Sequence, residues 1–244
     1  MIKKGVILAG GLGQRLGLFT QRVANKSLVL LYDKPALVYI IKSLTSIGIT
    51  EIIIVTGARY KGQLVDFLGD GKEFGVTKLY YVIQHEPNGI AAALKLVEDF
   101  IHDEKFIMLL GDNYFGDSLK DFVKDHQYVG GARVLLKEVG DPQRFGIAEI
   151  NEDTDEILSI EEKPVKPKSN YAIVGAYIFD RSVWQFINTQ KQSARGELEI
   201  TDTLKTYLQY DLIKYSKLEG CWFDVGTFDS LLDCANYLKN QNIK

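Results

Sequence analysis

Three groups of residues in this 244-residue chain have types and spacings that chemistry can use. The first is a glycine-rich turn, Gly10-Gly11-Leu12-Gly13-Gln14-Arg15-Leu16, directly after the apolar run Val6–Ala9. Gly10, Gly11 and Gly13 let backbone amides approach an anion closely and Arg15 adds a fixed charge, so a phosphate cradle is the natural use. The second is a pair of carboxylates, Asp112 closing an apolar run and Asp224 in a Trp-Phe-Asp-Val-Gly turn. Both could converge at the carboxyl ends of strands, where ligands bind in open α/β sheets. The third is a set of single polar groups: Lys26, Gln84, Arg195, and Lys163 between Glu161-Glu162 and Pro164. A glutamine amide can pair with a donor and an acceptor on a base edge. The proline calls for extended backbone at Lys163 and aims its charge. Taken singly, Lys26 reads as a solvated loop lysine, Arg195 as a surface arginine, and either aspartate as a turn residue.

Rival motifs fail on particular residues. A dinucleotide-binding turn needs a third glycine where Leu16 stands, and an acid after the second strand where Thr56-Gly57 stand. No Gly-Lys-Ser/Thr closes the turn as in an ATPase phosphate loop. Gly116-Asp117-Ser118-Leu119 with Asp99-Phe100-Ile101-His102 imitates a lipase-like hydrolase in reversed order, and Ser118 reads more simply as the cap of a helix over 119–124. His85, His102 and His126 have neither metal nor triad spacing.

The elements that must position these residues alternate. Apolar runs at Val6–Ala9, Ile52–Thr56, Tyr80–Ile83 and Phe106–Leu110 read as strands covered on both faces. Leu37–Ile47, Lys61–Leu68 and Ile90–Ile101 carry helical spacing between them, the signature of a parallel sheet with crossover helices. After Gly130 the runs Ala132–Glu138, Ile147–Asn151, Ile157–Glu162 and Tyr171–Phe179 alternate and predict antiparallel strands, and Ser230–Asn240 predicts a last helix. The expected fold is a Rossmann-like α/β domain over residues 1–244, a mixed, mostly parallel sheet flanked by helices. Residues 1–130 and 131–244 form its two halves.

A composition of 46% hydrophobic and 25% charged residues supports a large core, and a net charge of −3 gives no reason to expect nucleic acid or an anionic membrane. Any anion must be held by local charges. Cys221 and Cys234 have no metal-ligand spacing and suggest no disulfide framework, which fits a reducing cytoplasm. The apolar start is too short for a signal peptide, and no run reaches the roughly 18 residues of a membrane span.

The motifs also stand in a familiar order. GVILAGGLGQRL, Lys26 in NKSLVLLYDKP, Gln84-His85-Glu86-Pro87-Asn88-Gly89-Ile90-Ala91, Leu110-Gly111-Asp112-Asn113, Glu162-Lys163-Pro164, Arg195 to Asp202, and Trp222 to Thr227 together resemble the glucose-1-phosphate thymidylyltransferase family of sugar nucleotidyltransferases. The resemblance covers nearly the whole chain.

It implies transfer of a nucleotidyl group from dTTP or UTP to glucose 1-phosphate, releasing pyrophosphate and feeding deoxysugar or polysaccharide synthesis. It makes Asp112 and Asp224 the Mg²⁺ ligands, and Arg15, Lys26 and Lys163 catalytic. It assigns the nucleotide to Leu8, Gly10, Gly11, Gly13, Gln84, Gly89 and Asp112. The sugar phosphate falls to Asn113, Gly146, Glu162, Lys163, Val174, Gly175 and Arg195, and family habit implies a homo-oligomer. Gln14 replaces a small hydroxyl residue, and Leu18 and Leu30 stand where the family commonly has proline, which predicts a looser loop. The chain stops soon after its last helix, so regulation through a C-terminal extension is not expected. Two alternatives stay open: the same chemistry with another nucleotide or hexose 1-phosphate, and a sugar-nucleotide sensor without turnover.

Overall fold

The computed structural model describes residues 2–11, 13–126 and 130–242, so Leu12 of the glycine turn lies outside the described residues. The chain divides into two interleaved compact units, one of Lys3–Pro87, Leu109–Leu119 and residues from Gly220 on, the other of Ile2, Asn88–Met108 and Lys120–Glu219.

In the first unit, β1 (Lys4–Ala9), β2 (Glu51–Gly57) and β3 (Lys78–Gln84) run parallel, Ala9 beside Thr56 and Gly57 beside Gln84. Val6, Ile7 and Ile52–Val55 are wholly buried, which explains why these strands read as unbroken apolar runs. Helix α1 (Gly17–Arg22) follows the glycine turn, α2 (Ala36–Thr45) precedes β2, and α3 (Lys61–Leu68) joins β2 to β3. Helix α2 buries Leu37, Ile40, Ile41 and Leu44 at helical spacing.

The second unit begins with α4 (Ile90–Lys95) and α5 (Glu98–Ile101). The sequence predicts one helix there. Leu96 and Val97 donate instead to Ala93 and Leu94, three residues back, and Val97 leaves helical geometry at ψ 7°. The chain then runs through β4 (Phe106–Leu110), whose last residues belong to the first unit, and a short ribbon strand β5 (Asn113–Phe115).

Helix α6 (Lys120–Lys124) returns to the second unit, followed by β6 (Ala132–Glu138), β7 (Gly146–Asn151), β8 (Glu156–Glu162) and β9 (Tyr171–Phe179). β6 pairs antiparallel with β9, and β7 with β8, as the alternation predicts. Helices α7 (Ser182–Thr189) and α8 (Ile200–Gln209) lead to β10 (Ile213–Lys217), which runs parallel to β6. An aromatic cluster fills this unit: Trp184 stacks on Phe106 at 5.4 Å and donates its indole N–H to the His102 carbonyl at 3.0 Å. β11 (Trp222–Asp224) pairs antiparallel with β5 in the first unit, and α9 (Phe228–Asn242) closes the described chain. The class is the expected one, a mixed and mostly parallel α/β fold.

His126 supplies a pH-sensitive feature of the second unit. It is fully buried, its Nε2–H donates to the Gly131 carbonyl at 3.2 Å, and Nδ1 has no partner among the described residues. Burial pushes the imidazole from its ordinary 6.5 down to about 4, so it is neutral at pH 7. Its contribution to stability is complete above about pH 6.5 and is lost as pH falls towards 4. Between pH 7 and 4.5 the native chain should lose about 2 kcal/mol more stability than His126→Gln, measured by denaturant unfolding at each pH. Parallel pH profiles would contradict this.

Candidate active site

The glycine turn emerges from the carboxyl end of β1. Gly13 sits at φ 61°, and its carbonyl accepts the Thr20 hydroxyl at 2.5 Å; a Cβ on Gly13 would lie 2.9 Å from that of Thr20. The contact draws the turn onto α1, so glycine is required here twice, by backbone angle and by space. Arg15 lies in the short helical turn Gln14–Leu16, anchored by the buried Leu16. Of the departures from the family pattern, Leu18 is exposed on α1, and Leu30 is exposed while bridging to Pro35.

Lys26 is no solvated loop lysine: only 9% of its surface is exposed. Asn25 caps its turn, accepting from the Ser27 amide at 2.8 Å and donating to the Ala9 carbonyl at 3.0 Å. Gln63 of α3 clamps the same loop, accepting from the Asn25 amide at 3.0 Å and donating to the Val23 carbonyl at 2.7 Å. Neither Asn25 nor Gln63 carries a motif of its own, and sequence reasoning missed both. The sign in the sequence is that Asn25 directly precedes Lys26 of the motif.

The Lys26 ammonium contacts the Asp112 carboxylate. Asp112 also accepts from the Asn113 amide at 3.1 Å, and the Asn113 side chain in turn accepts the Trp222 indole N–H at 2.6 Å. Burial pushes the Asp112 carboxyl up, but the adjoining ammonium and the amide outweigh it and hold the group below the usual carboxylate range. In the β5–β11 ribbon Asn113 stands opposite Asp224, and Asp224 faces the Arg15 guanidinium at 3.5 Å. Four charges thus converge beside Gly226, where a Cβ would lie 2.7 Å from Arg15 Nη2, 3.0 Å from Asp224 Oδ1 and 3.1 Å from Lys26 Nζ.

Gln84, 7% exposed, ends β3 with its side-chain oxygen 2.7 Å from where a Cβ on Gly10 would stand. The Leu8 carbonyl accepts from the Gly111 amide at 2.9 Å. Leu8, Gly10, Gly11, Gly13, Arg15, Lys26, Gln84, Asp112, Asn113 and Asp224 therefore all belong to the first unit, with Leu8, Gly10, Gln84, Asp112, Asn113 and Asp224 at or next to strand ends.

The remaining predicted residues belong to the second unit. Gly146 stands opposite Glu162, and Glu162 meets Lys163 at 3.2 Å and Arg195 at 3.5 Å. Arg195 is shared with Glu197 at 3.3 Å and Glu199 at 3.4 Å, two carboxylates that sequence reasoning left out. Burial first, then the Glu162 carboxylate, pushes Glu199 above its ordinary value. Gly89 starts α4 at φ 111°, and a Cβ there would be 2.4 Å from the Leu198 carbonyl, so glycine allows α4 to hold the Glu197–Glu199 loop. Val174 is fully buried in β9 and Gly175 has φ 65°, next to a register shift against β6. These two are not drawn into the Glu162–Arg195 group by any hydrogen bond or ion pair among the described residues.

One expectation is corrected. Lys163 is not extended before Pro164: its φ is +44°, with its amide donating to the Phe145 carbonyl at 3.0 Å. The β7–β8 pairing imposes that bond and overrides the local proline preference.

Among the described residues no three His, Cys, Asp or Glu gather as a metal cage. Asp112 and Asp224 offer hard carboxylate oxygens beside the Gly226 opening, the kind of donor set that Mg²⁺ shares with phosphate oxygens.

Paired carboxylates, each against a cation and next to a glycine turn on an α/β scaffold, define a site for handling phosphate esters. The chain belongs to the nucleotidyl transferase family, whose model matches residues 4–241. The glucose-1-phosphate thymidylyltransferase of Neisseria meningitidis is 38% identical, over 99% of this chain and 84% of its own. That of Mycolicibacterium smegmatis is 36% identical, with coverage of 99% and 84%. Among solved structures, a chain assigned as a glucose-1-phosphate thymidylyltransferase of Bacillus anthracis, in complex with a sucrose, superposes with a TM-score of 0.90 at 43% identity. It covers 96% of this chain and 94% of that one. A UDP-glucose pyrophosphorylase complexed with UDP-glucose has a TM-score of 0.87 at 25% identity, covering 99% and 100%. The protein is a nucleotidyltransferase.

Gly226 offers a direct probe, because the atoms a Cβ would meet are the flexible ends of Arg15, Asp224 and Lys26. Gly226→Ala should keep its melting temperature within a few degrees yet lose at least about tenfold in pyrophosphate release, about 1.4 kcal/mol of barrier. Full activity would show that the charge cluster does not act as a unit.

Proposed function

We propose that this chain is a glucose-1-phosphate thymidylyltransferase, joining dTTP to glucose 1-phosphate to give dTDP-glucose and pyrophosphate. The observation that carries the reading is the convergence of Arg15, Lys26, Asp112 and Asp224 beside Gly226, in a chain whose curated relatives bear that name. A sugar phosphate oxygen forms a bond to the α-phosphorus while the bond to the β-phosphate oxygen breaks, and the charge leaves on pyrophosphate. The protein's task is therefore positioning and charge neutralisation rather than proton transfer.

In this reading the amides of Gly10, Gly11 and Gly13 cradle phosphates. Arg15 holds the departing β- and γ-phosphates, and Lys26 neutralises charge that grows at the α-phosphate. Asp112 and Asp224 would hold Mg²⁺, which supplies charge neutralisation on the phosphate oxygens when bound. Gln84 reads the pyrimidine edge, with the Leu8 backbone beside it in the same unit. Lys163 binds the sugar phosphate, Glu162 and Arg195 the hexose, with Gly146, Val174 and Gly175 lining the sugar site. We read residues 1–130 as mainly nucleotide-binding and 131–244 as mainly sugar-binding, in a cytoplasmic homo-oligomer. No described helix is long and apolar enough to cross a membrane. The likeness to a UDP-glucose pyrophosphorylase favours UTP as the second donor to try.

The test is pyrophosphate release with Mg²⁺, glucose 1-phosphate and each of dTTP, UTP, CTP, ATP and GTP. Release confined to dTTP or UTP is expected, with Asp112→Asn and Asp224→Asn each lowering it by about 10² or more. Release from a purine nucleotide alone, or full activity in both variants, would overturn the reading.

A further inference from the structure

The seven arginines of the chain divide unevenly. Arg15, Arg133, Arg144, Arg181 and Arg195 each have a carboxylate at ion-pair distance. Arg22 and Arg59 have no such partner among the described residues, yet both line a single cavity of about 380 Å³ in the first unit. Gly10, Gly11, Gln14 and Tyr60 share its wall, and none of the residues lining it is acidic. Two unneutralised guanidiniums beside the open backbone of a glycine turn make a site for an oxyanion.

Local structure holds the two cations there. Arg22 ends α1, which the Thr20–Gly13 contact ties to the glycine turn. Arg59 follows β2 and lies over the Tyr60 ring, 5.1 Å from its centroid, a contact that fixes the guanidinium without cancelling its charge. The Tyr60 hydroxyl is buried and has no hydrogen-bond partner among the described residues. A wall of cations, amides and hydroxyls without carboxylates excludes a metal ion or an amine and suits phosphate.

We propose that this cavity is a phosphate-binding pocket attached to the glycine turn, in which Arg22 and Arg59 hold oxyanions of a phosphate ligand. That ligand is the tail of the nucleoside triphosphate or a free phosphate species. The nucleotide arm rests on the function proposed above; the free-phosphate arm does not. A pocket of this volume is large enough for a pyrophosphate or triphosphate segment.

Titration calorimetry on the full chain, with dTTP, thymidine, pyrophosphate and inorganic phosphate, tests the assignment. The variants are Arg22→Gln, Arg59→Gln and their double, with Arg181→Gln as a control for net charge. The double variant should bind pyrophosphate at least about tenfold more weakly, with a shallower salt dependence, and leave melting temperature and thymidine binding unchanged. If dTTP weakens in parallel, the ligand is the nucleotide tail; if dTTP is unaffected while pyrophosphate or phosphate weakens, it is a free phosphate species. Unchanged affinity for all the phosphate ligands, or an equal loss in Arg181→Gln, would overturn the proposal. Absence of dTTP binding and of pyrophosphate release by the unaltered protein would reject the proposed function while leaving the free-phosphate arm to be decided.

Discussion

The contact between the Lys26 ammonium and the Asp112 carboxylate is the interaction on which the site depends. Eighty-six positions separate the two residues, and both side chains are largely withdrawn from water. Neither charge could stay there alone, because an unpaired buried ion costs several kcal/mol. The surroundings are built to keep them together: Asn25 fixes the turn that carries Lys26, Gln63 clamps that turn to α3, and Asn113 donates to Asp112 while held by Trp222. Such a pair is stable without ligand, yet each member has a natural phosphate-site use, the ammonium for an oxyanion and the carboxylate for a cation.

Close approach makes the arrangement possible, and it explains why glycines recur in the motifs. A Cβ on Gly111 would come within 2.9 Å of Ser27 Oγ, and one on Gly226 would enter the space shared by Arg15, Asp224 and Lys26. These are packing requirements rather than requirements for unusual backbone angles, since neither residue has a positive φ. Gly89 combines both, with a left-handed backbone pressed against the Leu198 carbonyl, and so fixes the loop that carries Arg195, Glu197 and Glu199.

Much of this was legible in the sequence, for physical reasons. β4, β6, β9 and α3 end where apolar periodicity and flanking glycines predict, because burial on one or both faces leaves an unambiguous pattern. The β5–β11 ribbon was not legible as paired strands: three residues each carry no periodicity, and 109 positions separate Asn113 from Trp222. That ribbon is what sets Asp112 and Asp224 in one place, so the motifs named the carboxylates while tertiary pairing, invisible locally, supplied their convergence. Lys163 shows the opposite failure, where a sound local rule about proline yields to one hairpin hydrogen bond. Glu197 and Glu199 stand inside the Arg195 to Asp202 motif with no role of their own, and only the fold gathers both at Arg195.

A double-mutant cycle on kcat/KM for pyrophosphate release addresses the central claim most directly, using Lys26→Met, Asp112→Asn and the double variant. If the pair forms one phosphate-handling unit, either single change removes most of the activity and the double variant is little worse than the poorer single, a strongly non-additive result. Effects that simply add in free energy would contradict the account, because they would mean that Lys26 and Asp112 act independently and that their contact is structural alone.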